Sequence, residues 1–224
     1  MKISIITLFP EMFTGPFDAS IIKRARTQEK IQIEYIQLRD FASDHYKSVD
    51  DHPYGGGTGM ILRVDVVDRA IAYAASTMST NAQKIISLDP QGTPYTQTIA
   101  KSLSAIEHII VLCAHYEGVD ERIRDLVDME ISIGDYVLTG GEIPAMAIID
   151  SIVRLIPGVL SKSNATTHES FEEGLLEYPQ YTRPDIYKNT PVPAILLSGN
   201  HKDIATWRKQ EAIIRTKKRR PDLH

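Results

Sequence analysis

An α/β domain built on a mainly parallel sheet is the architecture this sequence predicts, and three observations predict it. Short apolar runs recur as candidate strands at Lys2–Leu8, Ile31–Gln37, Lys84–Leu88, Ile109–Cys113 and from Met129. Segments with helical spacing of apolar residues lie between them, so strand and helix alternate. Several of the runs are apolar at successive positions, as in strands covered on both faces of a parallel sheet. A small, mostly helical C-terminal domain is expected beyond a polar stretch at Ser161–Glu173.

Lys2–Leu8 is mostly Ile, Leu and Phe and reads as the first strand. Phe17–Gln28 has apolar residues at 17, 21, 22 and 25, a helical spacing, and Ile31–Gln37 follows as the second strand. Arg39–Met60 lacks periodicity and ends in Asp50-Asp51-His52-Pro53-Tyr54-Gly55-Gly56-Gly57-Thr58-Gly59-Met60, a loop long enough to suggest a function. Val64–Ala75 reads as a helix, and Lys84–Leu88 as a strand ending in a turn at Asp89–Pro94. Thr96–Leu103 and Glu121–Leu126 are short helices that lead to the strands at 109 and 129. Ile131–Pro144 then passes from an apolar strand through a glycine-bearing loop into a helix at Glu142–Ile156. Gly134, Gly140 and Gly141 suit positive φ or close approach there, and Pro144 suits a first helical turn. Ala147, Ile148, Ser151, Ile152 and Leu155 are expected on one side of that helix, with Arg154 near its end.

Ser161–Glu173 is polar and aperiodic, so it reads as an interdomain linker, mobile when the protein is empty. The domains are therefore 1–160, the linker 161–173, and 174–224. In the last of these a helix is expected from about Lys202 to Lys217, with Asn200 as its N-cap. Ile204, Trp207 and Ile214 would form its apolar stripe.

Composition narrows the function. The 224 residues are 42% hydrophobic and 24% charged, which suffices for one good core and a smaller second unit. The single cysteine, Cys113, excludes an internal disulfide and a multi-cysteine metal site and fits a reducing compartment; no metal site is assigned. No apolar run approaches the roughly 18 residues of a membrane span, so a cytoplasmic protein is expected. Net charge is −4, yet residues 201–220 carry eight Lys/Arg against two Asp/Glu, leaving 17 against 27, or −10, elsewhere. A basic segment on an acidic chain is a candidate polyanion contact. The glycines at 55–59 complete neither Gly-x-Gly-x-x-Gly nor a Gly-Lys-Ser/Thr phosphate loop, which counts against a phosphotransfer enzyme.

Two apolar strands end in charged, glycine-containing loops, and in open α/β sheets ligands bind beyond the carboxyl ends of the strands. These loops also carry a resemblance. Leu-Cys-Ala-His-Tyr-Glu-Gly-Val-Asp-Glu-Arg at 112–122 and Ser-Ile-Gly-Asp-Tyr-Val-Leu-Thr-Gly-Gly-Glu-Ile-Pro-Ala-Met at 132–146 resemble the cofactor-binding segments of the TrmD family, the bacterial tRNA (guanine-N1)-methyltransferases of the SPOUT class. The 50–60 loop resembles that family's Asp-Asp-Arg-Pro-Tyr-Gly-Gly-Gly-x-Gly-Met, which lines its substrate and cofactor cleft. Residues 169–184 and 196–208 match further family patterns, so the resemblance runs from the first strand to the last helix. Five positions depart from it: His52 for Arg, Ala114 for Gly, His115 for Arg, Glu169 for Asp and Gln180 for His.

The resemblance implies a deep trefoil knot in which the loops at 88–92, 113–118 and 133–141 form the pocket for S-adenosylmethionine. Its cofactor-binding residues would be Leu88, Pro90, Ala114, Glu117, Ile133, Gly134, Asp135, Tyr136, Val137, Leu138, Gly140, Gly141 and Pro144. The implied reaction is methylation of nitrogen 1 of the guanine at tRNA position 37, by a homodimer with shared active sites and with 174–224 as the tRNA-binding domain. That nitrogen carries a proton and is a poor nucleophile until the proton is lost, so the chemistry needs a general base. Negative charge then gathers on the ring and its O6, where a cation is stabilising. Glu169 and Arg154 fall on the family's base and cation positions. The alternative is a weak or catalytically silent tRNA-binding protein on the same scaffold, consistent with the five departures.

Overall fold

The computed structural model describes residues 1–161, 166 and 169–223. It divides into two compact units, Met1–Ser161 and Lys162–His224. Part of the expected linker, residues 162–165, 167 and 168, lies outside the described residues.

In the first unit β1 (Lys2–Thr7) leads by way of α1 (Ser20–Thr27) to β2 (Gln32–Gln37). A ribbon of β3 (Asp50–Asp51) and β4 (Ile61–Leu62) follows, then α2 (Val64–Ser76), β5 (Gln83–Pro94), α3 (Gln97–Ser104), β6 (His108–Cys113), β7 (Met129–Ser132) and α4 (Glu142–Val153). The five longer strands form one sheet in the order β2-β1-β6-β5-β7, every neighbouring pair parallel. The expected α/β class with its parallel sheet is therefore what the chain adopts.

The sheet separates two cores, and the pleat sorts side chains between them. Ile3, Ile5, Ile109, Val111 and Cys113 face α1, α3 and α4, whereas Ile6, Ile110 and Leu112 face α2 with Val66, Val67 and Ala70. All six residues of β6 are buried, which explains the unbroken apolar run Ile109–Cys113 within it. Each such fully buried side chain contributes roughly 1.5–3 kcal/mol of transfer free energy.

Several local expectations change. The helix expected over 17–28 begins at Ser20, and Glu121–Leu126 is 3-10 helix. The strand at 84 does not end at Leu88 but resumes at Thr93; Ile131 of β7 pairs with both, so Asp89–Gly92 is pushed out of the ladder as a bulge. The buried face of α4 is Ala145, Ile148, Ile149, Ile152 and Val153, one position off the expected side, and Ala147 is exposed. The helix shares its core with the sheet and α3, and those neighbours decide which stripe is covered.

At the amino ends of the strands His108 is buried, with Nε2 2.9 Å from Ser4 Oγ and Nδ1 3.0 Å from Gln83 Oε1. Burial holds its pKa below the ordinary value, the nearby Lys2 adds to this, and Glu34 opposes it. The neutral ring is thus favoured by the fold, so its contribution is present above the unfolded value of about 6.5 and is lost as pH falls below it. Melting temperature is expected to decline as pH drops through that region. His108→Gln, which cannot take up a proton, should show a smaller decline in the same scan.

The second unit contains a hairpin of β8 (Ile186–Tyr187) and β9 (Thr190–Pro191), then α5 (Ala194–Leu197) and α6 (His201–Arg219). Lys188 and Asn189 both have positive φ, as a two-residue hairpin turn of the primed type requires. Asn200 caps α6, its Oδ1 accepting from the backbone N–H of Lys202 and Asp203. The apolar stripe expected there is not the buried one. Ala212 and Thr216 are buried, Ile204 and Trp207 are half-buried, and Ile214 is 57% exposed. Thr216 Oγ1 donates to the Ala212 carbonyl at 2.7 Å and accepts the Leu176 N–H at 2.8 Å, so the 175–177 segment selects the covered face.

Candidate active site

Beyond the carboxyl ends of β5, β6 and β7 the three loops at 88–91, 114–118 and 131–141 line an open cleft of about 220 Å³, placed where ligands bind in open α/β sheets. Of the residues expected to bind a cofactor, Leu88, Pro90, Ala114, Glu117, Ile133, Gly134, Tyr136, Val137, Leu138, Gly140, Gly141 and Pro144 line it; Asp135 does not. The bulge in β5 supplies Pro90 and Gln91, its turn closed by the Gln91 N–H donating to Asp89 Oδ1 at 2.8 Å. Gly92 permits the bulge, because a Cβ there would lie 2.6 Å from the Glu130 backbone carbon.

The glycines at 140 and 141 serve close approach and not positive φ. Gly141 has φ −80°, open to any residue, but a Cβ on it would stand 2.6 Å from Cys113 Cα and 2.8 Å from the Ala114 nitrogen. Its N–H donates to the Ala114 carbonyl at 2.8 Å, joining the loop after β6 to the start of α4. Gly134, by contrast, does adopt positive φ, and a Cβ there would meet the Tyr136 ring at 2.7 Å. Tyr136 and Val137 are exposed beside it. The lining combines apolar side chains such as Leu88, Ile133 and Leu138 with polar ones such as Gln91 and Glu117, which suits a small ligand with both apolar and polar parts.

The glycine-rich loop at 50–60, expected to line the cleft, packs against the loop after β6 without being among the lining residues. The Glu117 N–H donates to the Met60 carbonyl at 3.0 Å, Leu62 bridges Val119, and Gly59 lies against the Glu117 side chain. Asp120, held below the usual carboxylate range by hydrogen bonds from Arg122, caps the turn that follows.

Sequence reasoning missed the polar chain under the cleft. His115 lines the cleft, and its Nε2 is 2.7 Å from Glu142 Oε2; Glu142 is fully buried and accepts from Thr7 Oγ1 at 2.6 Å. In the sequence His115 stands out only as a departure from a family pattern, and nothing local marks Thr7. Cys113 is no nucleophile: burial, reinforced by the Glu142 charge, pushes its thiol up and keeps it protonated.

Arg154 is not brought to the cleft. It is the half-buried C-cap of α4, ten residues past Pro144, or about 15 Å along the axis. Glu169 belongs to the second unit, where it is half-buried and lines a separate cavity with Leu175, Leu176, Tyr178, Ala205 and Arg208. Among the described residues no group of three or more His, Cys, Asp or Glu is placed to hold a metal ion, and no helix is long and apolar enough to cross a membrane.

A parallel α/β sheet with a ligand cleft beyond the ends of its strands defines the general class, and comparison with known proteins narrows it. The family model described as tRNA (Guanine-1)-methyltransferase TrmD matches residues 1–224, and the chain belongs to that family. Among its relatives, the tRNA (guanine-N(1)-)-methyltransferase of Desulforudis audaxviator is 51% identical over 223 residues, covering 100% of this chain and 89% of that protein. The proteins of the same name from Carboxydothermus hydrogenoformans and Staphylococcus haemolyticus are each 52% identical over 224 residues, covering 100% of this chain and 87% and 90% of their own lengths.

Proposed function

We propose that the chain methylates nitrogen 1 of the guanine at tRNA position 37, with S-adenosylmethionine as donor. The observation that carries this is the convergence of three sequence-distant loops, the same loops that resemble the family's cofactor segments, on one cleft. The adenine of the donor would lie among the apolar walls, its edge met by main-chain groups of Ala114 and 133–138. Glu169 would take the N1 proton, and Arg154, which the single chain does not bring to its own cleft, would meet the charge that develops on O6 in the assembled homodimer. A homodimer in which one chain's Glu169 serves its partner's cleft accommodates a base carried in the second unit. The family's trefoil knot belongs to the same reading. A soluble cytoplasmic enzyme follows from a tRNA substrate. Mass spectrometry of unmodified tRNA incubated with the protein and S-adenosylmethionine is expected to show one added methyl at guanine 37. Tight tRNA binding without methylation would instead identify a silent binding protein.

The second unit would hold the tRNA, and its basic end gives a measurable test. Lys217, Lys218 and Arg219 are exposed, whereas Arg220 is tied to Asp222 at 2.6 Å. Replacing the first three by Ala should weaken tRNA binding and flatten its salt dependence by roughly one log–log unit for each phosphate that is no longer neutralised. Donor affinity should stay where it is. An unchanged salt slope in a binding titration would reduce the tail to a solvated face.

A further inference from the structure

The Glu142 carboxylate ties together three segments far apart in sequence: the end of β1 through Thr7, the loop after β6 through His115, and the first turn of α4. A fully buried carboxylate is costly unless it is paired and hydrogen-bonded, and an apolar side chain could fill the same space without that cost. Its two oxygens therefore point to a role beyond filling the core. The ties extend to the cleft surface. His115 is held edge-on by Phe9 at 4.9 Å between centroids, and a Cβ on Gly140 would run into both the His115 ring and Glu142 Oε2. The wall formed by the loop after β6 and the wall formed by Gly140 thus share one support.

We propose that Glu142 and His115 are positioning residues for the methyl donor, setting the spacing between those two walls while touching neither tRNA nor the transferred methyl group. This rests on the cleft being the donor site. A hydrogen bond to a charged group is strong enough to hold the loops in one arrangement, and its loss lets the walls move apart.

The test is calorimetric titration of S-adenosylmethionine into the full chain, with steady-state kcat and separate KM values for donor and unmodified tRNA. His115→Ala and Glu142→Gln are each expected to weaken donor binding by roughly ten- to a hundredfold, raising KM for the donor while KM for tRNA stays unchanged. His115→Arg should regain affinity relative to His115→Ala, because a guanidinium also donates to a carboxylate. A merely structural pair would lower the melting temperature without separating the two KM values and without rescue. Should Glu142→Gln fail to fold, His115→Ala carries the test together with Thr7→Val, which removes the hydroxyl that donates to Glu142 and accepts the Phe9 N–H. Wild-type donor affinity in a folded His115→Ala variant, or no gain in His115→Arg, overturns the positioning role. Binding by the wild type separates the two readings: if it takes up no S-adenosylmethionine, the donor cleft itself is refuted and this role with it.

Discussion

Glu169→Gln is expected to lose nearly all methyl transfer while still binding tRNA and S-adenosylmethionine. Gln keeps the size and much of the hydrogen bonding of Glu, but it cannot accept the N1 proton as a carboxylate does. General-base catalysis alone is worth about 10² to 10⁴ in rate. Glu is also one methylene longer than the Asp of the family pattern, and displacement of a reacting group by about 1 Å costs on the order of 10²-fold. Glu169→Asp should therefore keep only part of the rate, since the pocket would be fitted to the longer side chain. Arg154→Ala should be about as damaging as Glu169→Gln, and the double variant little worse than either, because groups that act in one transition state are not additive. Single-turnover rates at several pH values measure all four. A Gln variant with the wild-type rate and pH profile would rule Glu169 out as the base.

Gly141→Val is expected to abolish donor binding, a loss of more than about 10²-fold, while the chain remains folded. Gly141 has a negative φ of −80°, so left-handed backbone strain is not the reason. The added Cβ would meet the main chain of Cys113 and Ala114 at 2.6–2.8 Å, and those atoms belong to the central strand and its exit. The start of α4 must move outward instead, breaking the Gly141 N–H bond to the Ala114 carbonyl and reshaping the cleft at its floor. Calorimetry with S-adenosylmethionine, beside circular dichroism to verify folding, gives the answer. Wild-type affinity in a folded variant would remove this loop from the donor site.

Much of the fold is legible in the sequence because the relevant signals are local. The unbroken apolar run of β6 announces a strand covered on both faces, and Asn200 announces the start of α6 through hydrogen bonds that span only two or three residues. The loops that line the cleft stand out as glycine-bearing strand ends, since residues at the carboxyl edge of a parallel sheet converge whatever their detail. Asp135 is the exception. It sits within the right loop but is not among the residues lining the cleft, because a side chain's direction depends on dihedrals that composition does not report.

What the sequence by itself determined is the succession of the longer strands and helices and the parallel α/β class, because periodicity, capping and turn chemistry act over a few residues; that three loops share one cleft was implied by the family resemblance. Only the tertiary structure decided which stripe of α4 and α6 is covered, since that depends on the neighbour each helix meets: α4 buries Ala145, Ile148 and Ile152, and α6 buries Ala212 and Thr216 while leaving Ile214 in solvent. It also decided that β5 resumes beyond Leu88, and that Gly141 is needed for room and not for its backbone angles. The bond from Thr7 to Glu142 spans 135 residues and that from Glu142 to His115 spans 27. Neither partner carries a local mark of the other, because a buried hydrogen bond is specified by where the chain returns in space.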